Sequence, residues 1–124
     1  MPRLIASLLV GSSLGMSGAL LQGMLKNGLA SPYLLGISAG SGLVIVTFIT
    51  FGFSQLFIPL ASWSGAILTT LLVFILAKSS NKISIERLIL GGVAISSLFG
   101  AIQATLLLQA EDGRIQAALT WLIG

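Results

Sequence analysis

The 124-residue chain contains no cysteine and no histidine, and only nine of its side chains are formally charged, six Lys or Arg and three Asp or Glu. Without cysteine there is no disulfide framework, no thiolate zinc site, no iron–sulfur ligation and no lipidated-cysteine anchor. Without histidine, an imidazole-dependent triad or metal site is excluded as well. The 7% charged content lies far below the roughly 25% usual in soluble globular domains. What fills the space is apolar: 56% of residues are hydrophobic and the net charge is +3, with a mean hydropathy of +1.09. The charges are so sparse that three runs carry none, Leu4–Leu25, Leu29–Ala77 and Leu88–Ala110, of 22, 49 and 23 residues. No water-soluble core of this size absorbs such runs, so lipid is the solvent they imply. The basic residues are scattered singly between the runs and form no dense patch, which argues against a nucleic-acid partner and makes them topology markers.

A helix needs about 20 apolar residues to cross roughly 30 Å of hydrocarbon, because its backbone must satisfy its own hydrogen bonds there. The first and last runs each fit one span. The middle run fits two, with turn signals at Gly52, Ser54, Gln55 and Pro59. The expected spans are therefore 4–25, 35–51, 57–77 and 88–110, an all-α polytopic bundle. Cytoplasmic loops are enriched in Lys and Arg. The loop from Lys78 to Arg87 holds three of the six basic residues and falls on the same side as Lys26, so that side is expected to be cytoplasmic, with Arg3, Glu111, Asp112 and Arg114 outside. The alternative of an N-terminal signal peptide, with Leu4–Val10 as its apolar core and Ser17-Gly18-Ala19 as its small residues, fits less well because the apolar run continues to Leu25.

Fifteen glycines stand among these helices. Small residues recur four apart as Ser7, Gly11 and Gly15; Gly36 and Gly40; Ala61 and Gly65; and Gly92, Ser96, Gly100 and Ala104. Such stripes let helix backbones approach closely where no hydrophobic drive exists. Packing is the plain reading. The sharper one is that Ser96, Gly100 and Gln103 line a solute pathway, Gln103 being an amide in the interior of its span and preferring a neighbouring helix or a wet lumen to lipid. No span carries a charged residue at its middle. A compact drug/proton antiporter, which needs a membrane-embedded carboxylate, is thereby disfavoured, and an ion-coupled carrier fragment would need its coupling residues elsewhere.

Four blocks go beyond generic membrane helices. They are Pro2-Arg3-Leu4-Ile5-Ala6 leading to Gly11 and Ser17-Gly18-Ala19-Leu20-Leu21-Gln22-Gly23; Asn27-Gly28-Leu29-Ala30-Ser31-Pro32 followed by Leu35-Gly36-Ile37-Ser38-Ala39-Gly40; Arg87-Leu88-Ile89-Leu90-Gly91-Gly92-Val93-Ala94; and Trp121-Leu122-Ile123-Gly124. In this order and spacing they resemble the FecCD-type permease family, the membrane subunits of ABC importers for iron–siderophore complexes, haem and cobalamin. The resemblance runs over essentially the whole chain. It implies four spans, the second through fifth, of a roughly ten-span permease, with Met1 where a leucine is usual in an Arg-x-Pro-Arg pattern.

The resemblance also implies partners and roles. Two permease subunits, as a homo- or heterodimer, would form the pathway in a bacterial plasma (inner) membrane. Two ATP-binding subunits would supply the ATP and Mg chemistry, and a substrate-binding protein would dock from outside; the chain itself would be non-catalytic, with no metal or cofactor of its own. Arg3 matches the family position that pairs with a glutamate of the binding protein, although an arginine snorkelling to headgroups is the plainer account. Asn27 and Leu29 match one cytoplasmic gate, and Ser84, Ile85, Glu86, Arg87, Leu88 and Ile89 match the other. Short non-helical segments suit gating because they change dihedrals without unpacking a helix. The family usually has proline after the asparagine, and Gly28 stands there instead, which removes a φ constraint. After the last span, Ile115, Leu119 and Leu122 at helical spacing beside Trp121 predict a short external interfacial helix within 111–124, with Glu111, Asp112 and Arg114 in a solvated loop. The competing classes are an ion-coupled secondary transporter fragment and a non-transporting helical membrane bundle.

Overall fold

In a computed structural model the chain is described over residues 1–79, 82–110 and 112–123. Ser80 and Asn81 of the expected basic loop, Glu111 of the expected external loop and Gly124 of the closing motif lie outside the described residues. Among the described residues five α-helices follow one another: α1 (Pro2–Leu25), α2 (Ile37–Thr50), α3 (Ile58–Ala77), α4 (Ile85–Gln109) and α5 (Asp112–Ile123). Short 3-10 turns, Pro32–Leu35 and Gln55–Phe57, precede α2 and α3, and the two-residue strands β1 (Lys78–Ser79) and β2 (Lys82–Ile83) pair antiparallel between α3 and α4. The long helices α1, α3 with its leading turn, and α4 are apolar enough and long enough to cross a membrane. The second expected span is shorter than its sequence pattern: α2 has 14 residues, about 21 Å at 1.5 Å per residue, because Gly36 leaves the helical path with φ +73°.

The helices alternate in direction. One cluster joins the 3-10 turn before α2 to the end of α3 and the start of α4 through Leu35, Val73, Ala77, Leu88 and Ile95, with Leu21 and Leu25 of α1 against it. The other joins the end of α2, the start of α3 and α5 through Val46, Ile49, Ile58 and Ala118, with Leu106 and Leu107 from the end of α4. Lys26, Lys78 and Arg87 flank the first cluster in the chain and mark the basic end of the bundle. The alternation places the basic connectors together at one end.

Close packing of α2 follows from missing side chains. A Cβ on Gly40 would overlap the Thr69 hydroxyl of α3, and one on Gly65 would stand 2.6 Å from Val44 Cγ2 and 2.8 Å from the Gly40 carbonyl oxygen. On the other side, a Cβ on Gly92 of α4 would overlap the Leu34 carbonyl. Backbone thus lies on backbone at both crossings, which is the contact small-residue stripes make available when lipid and side chain are equally apolar. The stripe of α1 behaves otherwise: α1 buries none of its residues, and nothing stands within 4 Å of a Cβ built on Gly11, Gly15, Gly18 or Gly23.

The end of α2 is closed twice over. Gly52, at φ +73°, lets the Phe53 amide donate to the Phe48 carbonyl at 2.9 Å and the Gly52 amide to the Ile49 carbonyl at 3.1 Å. A left-handed residue in this position costs an L-residue about 1–2 kcal/mol and glycine nothing. The same turn brings the Phe48 and Phe53 rings to 5.0 Å, the apolar contact that seals such helix ends.

Candidate functional site

At the basic end, the segment Lys26 to Gly36 is a chain of turns, as its composition predicts. Lys26 ends α1 in the left-handed region at φ 48°. Asn27 then opens a β-turn: the Ala30 amide donates to the Asn27 carbonyl at 3.1 Å, and the Leu29 amide donates to Asn27 Oδ1 at 3.0 Å. Neither Gly28 nor Leu29 has positive φ, which selects the type I form, and proline is favoured at the second position of that turn. Gly28 therefore sits where a proline fits. The Gln22 side-chain amide donates to the Gly28 carbonyl at 3.0 Å and braces the turn from α1. Leu29 projects from the tip, 83% exposed, whereas Ala30 is buried.

The second candidate gate differs from its expected form. Only Ser84 is extended, at φ −87° and ψ 126°. Ile85, Glu86 and Arg87 extend α4 ahead of the expected start of the fourth span at Leu88, so they are helix and not connector, and Leu88 and Ile89 follow in the same first turns. The reason lies in packing: Leu88 is fully buried in the inner cluster with Val73 and Ala77, and that burial holds the segment helical. The two candidate gates nevertheless share one end. A cleft of about 280 Å³ is lined by Leu21, Met24 and Leu25, just before the Asn27 turn, and by Phe74, Ile85 and Leu88.

In the interior, the structure draws two of the three candidate lining residues toward α2. The Ser96 hydroxyl donates to the Gly92 carbonyl at 2.8 Å and lies 3.1 Å from a Cβ placed on Gly36. The Gln103 amide donates to the Ala39 carbonyl at 2.8 Å, so the neighbouring helix satisfies the amide that lipid would not. Gly100, between them on α4, has nothing within 4 Å of its Cβ position and leaves open space on the same face.

Toward the opposite end, Arg3 is exposed in the first turn of α1. Arg114 lies in the first turn of α5, not in a loop, and its Nη1 donates to the Thr50 carbonyl at the end of α2. The helix predicted near Trp121 exists, but α5 runs alongside α2: Leu122 Cδ2 comes within 3.2 Å of a Cβ placed on Gly42, and Gln103 Oε1 within 3.4 Å. The sequence reading missed Gln22, Gly42 and Arg114 as contact residues. The available signal was weak, a lone amide in α1, a third glycine next to Gly36 and Gly40, and a cation at the start of a helix, where the dipole disfavours it.

Residues 1–124 match the FecCD transport family. The chain is 36% identical to the iron(3+)-hydroxamate import system permease protein of Bacillus subtilis (strain 168), covering 100% of this chain and 39% of that protein. It is 38% identical to the ferric enterobactin transport system permease protein of Escherichia coli (strain K12), covering 97% and 36%. A solved structure described as an inward-facing conformation of a metal-chelate type ABC transporter superposes with a TM-score of 0.87 at 31% identity, over 99% of this chain and 39% of that one. The chain thus spans somewhat over a third of the length of the relatives it matches. The family match runs over the full chain, and the chain belongs to the FecCD transport family.

Proposed function

We propose that this chain contributes part of the translocation pathway of an ATP-driven importer, as a permease subunit carrying iron–siderophore or related metal chelates by alternating access. The observation that carries the reading is the superposition of 99% of the chain on a metal-chelate type ABC transporter at a TM-score of 0.87. Chelate import is also what the hydroxamate and enterobactin relatives are named for. The assembly pairs the subunit with a second permease, two ATP-binding subunits that bind ATP and Mg, and an external substrate-binding protein. Its place is the bacterial plasma membrane, with the basic end cytoplasmic by the bias of Lys and Arg. Catalysis of hydrolysis belongs to the ATP-binding partners.

Within that reading, Asn27 and Leu29 act as one cytoplasmic gate and the start of α4, from Ser84 to Ile89, as the other. The exposed Leu29 side chain and the shared apolar cleft support this pairing. Ser96, Gly100 and Gln103 line the pathway where Gly100 leaves space. Arg3 offers a guanidinium for a binding-protein carboxylate, the pair with the strongest charge-assisted geometry. No observation favours the ion-coupled carrier or the inert bundle over this reading.

Uptake of ferric hydroxamate, ferric catecholate and cobalamin is measured in cells with the reading frame of this chain disrupted and restored. Loss of vanadate-sensitive uptake of one of them, recovered on complementation, is expected; unchanged uptake of all three would sink the proposal. Arg3→Glu in the assembled transporter is expected to weaken binding-protein association at low salt, and unchanged affinity there removes the docking role.

A further inference from the structure

The contacts between α5 and α2 fall into register. Arg114 meets Thr50, and Leu122 meets Gly42. Each pair of positions is eight residues apart on its own helix, about 12 Å, so the helices run antiparallel. Midway between, Ala118 and Val46 are both fully buried in one cluster. Two of these three contacts are apolar, and apolar contact is non-directional. A slide of α5 by one turn would still place apolar side chains on apolar side chains. The third contact is different, because a guanidinium has a required partner and α2 offers a specific one.

That partner is defined by how α2 ends. The last carbonyls of a helix have no partner within it. The Gly52 turn satisfies those of Phe48 and Ile49, and Arg114 takes that of Thr50. Its guanidinium lies face-on over Gly52, with Nη2, Cζ and Nη1 at 3.6, 3.8 and 3.8 Å from the Cβ position there. A cation in the first turn of α5 is at the unfavourable end of its own helix dipole, and the same cation at the end of α2 is at the favourable end of another.

We propose that Arg114 is a positioning residue that sets the axial register of α5 on α2. By bonding the Thr50 carbonyl, it keeps Leu122 seated over Gly42 and next to the Gln103 amide. The inference does not depend on the transport reading.

The test uses paired cysteines in the membrane-inserted protein. One pair, Gly42→Cys with Leu122→Cys, reports the observed register, and another, Val46→Cys with Leu122→Cys, reports a shift by one turn. With Arg114 present, the first pair is expected to cross-link about tenfold more than the second, a preference worth one decade of equilibrium. Arg114→Met is expected to reduce that ratio by about threefold or more, and Arg114→Lys, which keeps a charged donor, to restore most of it. A control pair at Val73 and Leu88 in the inner cluster should remain unchanged. An unaltered ratio in Arg114→Met overturns the proposal. So does parallel loss of the control pair, since Arg114 would then serve the whole fold and not the register.

Discussion

Two helices of similar composition meet opposite fates in this chain. The first, α1, has 24 residues and buries none of them. The second, α2, has 14 and is enclosed by α3, α4 and α5, with Gly40, Gly42, Val46 and Ile49 buried. Both carry glycines at helical spacing, and neither has a distinct polar face. A helix apolar all round belongs in a core or in a membrane, and α1 and α2 show both solutions. What separates them is whether a complementary surface exists within the chain. Gly40 has Gly65 opposite it, and Gly92 has the Leu34 backbone, whereas Gly11 and Gly15 face open space.

The strongest challenge to this contrast is to fill the glycines. Gly92→Ala places a methyl group on the Leu34 carbonyl, and backbone cannot yield as a side chain can. The expected loss is about 3 kcal/mol, at the upper end of ordinary overpacking. Gly11→Ala in the same chain is expected to gain about 0.5–1 kcal/mol from helix propensity. Unfolding midpoints in mixed detergent micelles read both. Equal losses would show that the face of α1 is covered after all.

The polar attachment of α2 provides a finer comparison. Gln103→Leu removes the bond to the Ala39 carbonyl, and interhelical hydrogen bonds in membranes are worth about 0.6 kcal/mol on average and about 1.7 at most. A loss within that range is expected by the same measurement, and none at all would mean that α2 is held by glycine packing alone. The smallest effect concerns the link between the two helices. Gly28→Pro is expected to stabilise by about 0.4–1 kcal/mol, because the type I turn already has the φ sign that proline requires. Destabilisation would show that the turn needs the freedom of glycine, and would strengthen its reading as a moving part.

Much of the architecture was legible in the sequence, because lipid imposes a simple rule. Uncharged runs long enough to cross must be helices, and α1, α3 and α4 fall within three residues of their expected limits. The basic connectors gather at one end for the same reason. The site was less legible. Turn composition located the Asn27 segment, but Ile85, Glu86 and Arg87 were read as connector, whereas they begin α4, whose Leu88 is buried against α3. Gln103 stood out in the sequence as an amide that lipid does not satisfy, and the position of α2 supplies the Ala39 carbonyl to which it donates.

The segment after α4 shows the limit most sharply. Helical spacing announced a helix, and Trp121 placed it at the membrane interface. Its course along α2 brings Arg114 to a carbonyl 64 residues earlier in the chain. The amino-acid order alone announced the long apolar helices and their approximate limits, since uncharged runs of that length follow from the cost of charge and bare backbone in hydrocarbon. Which glycines touch, where α2 stops and how α5 lies were decided only in three dimensions, because close contact and hydrogen bonding need a partner surface at ångström distance, and no local pattern encodes that.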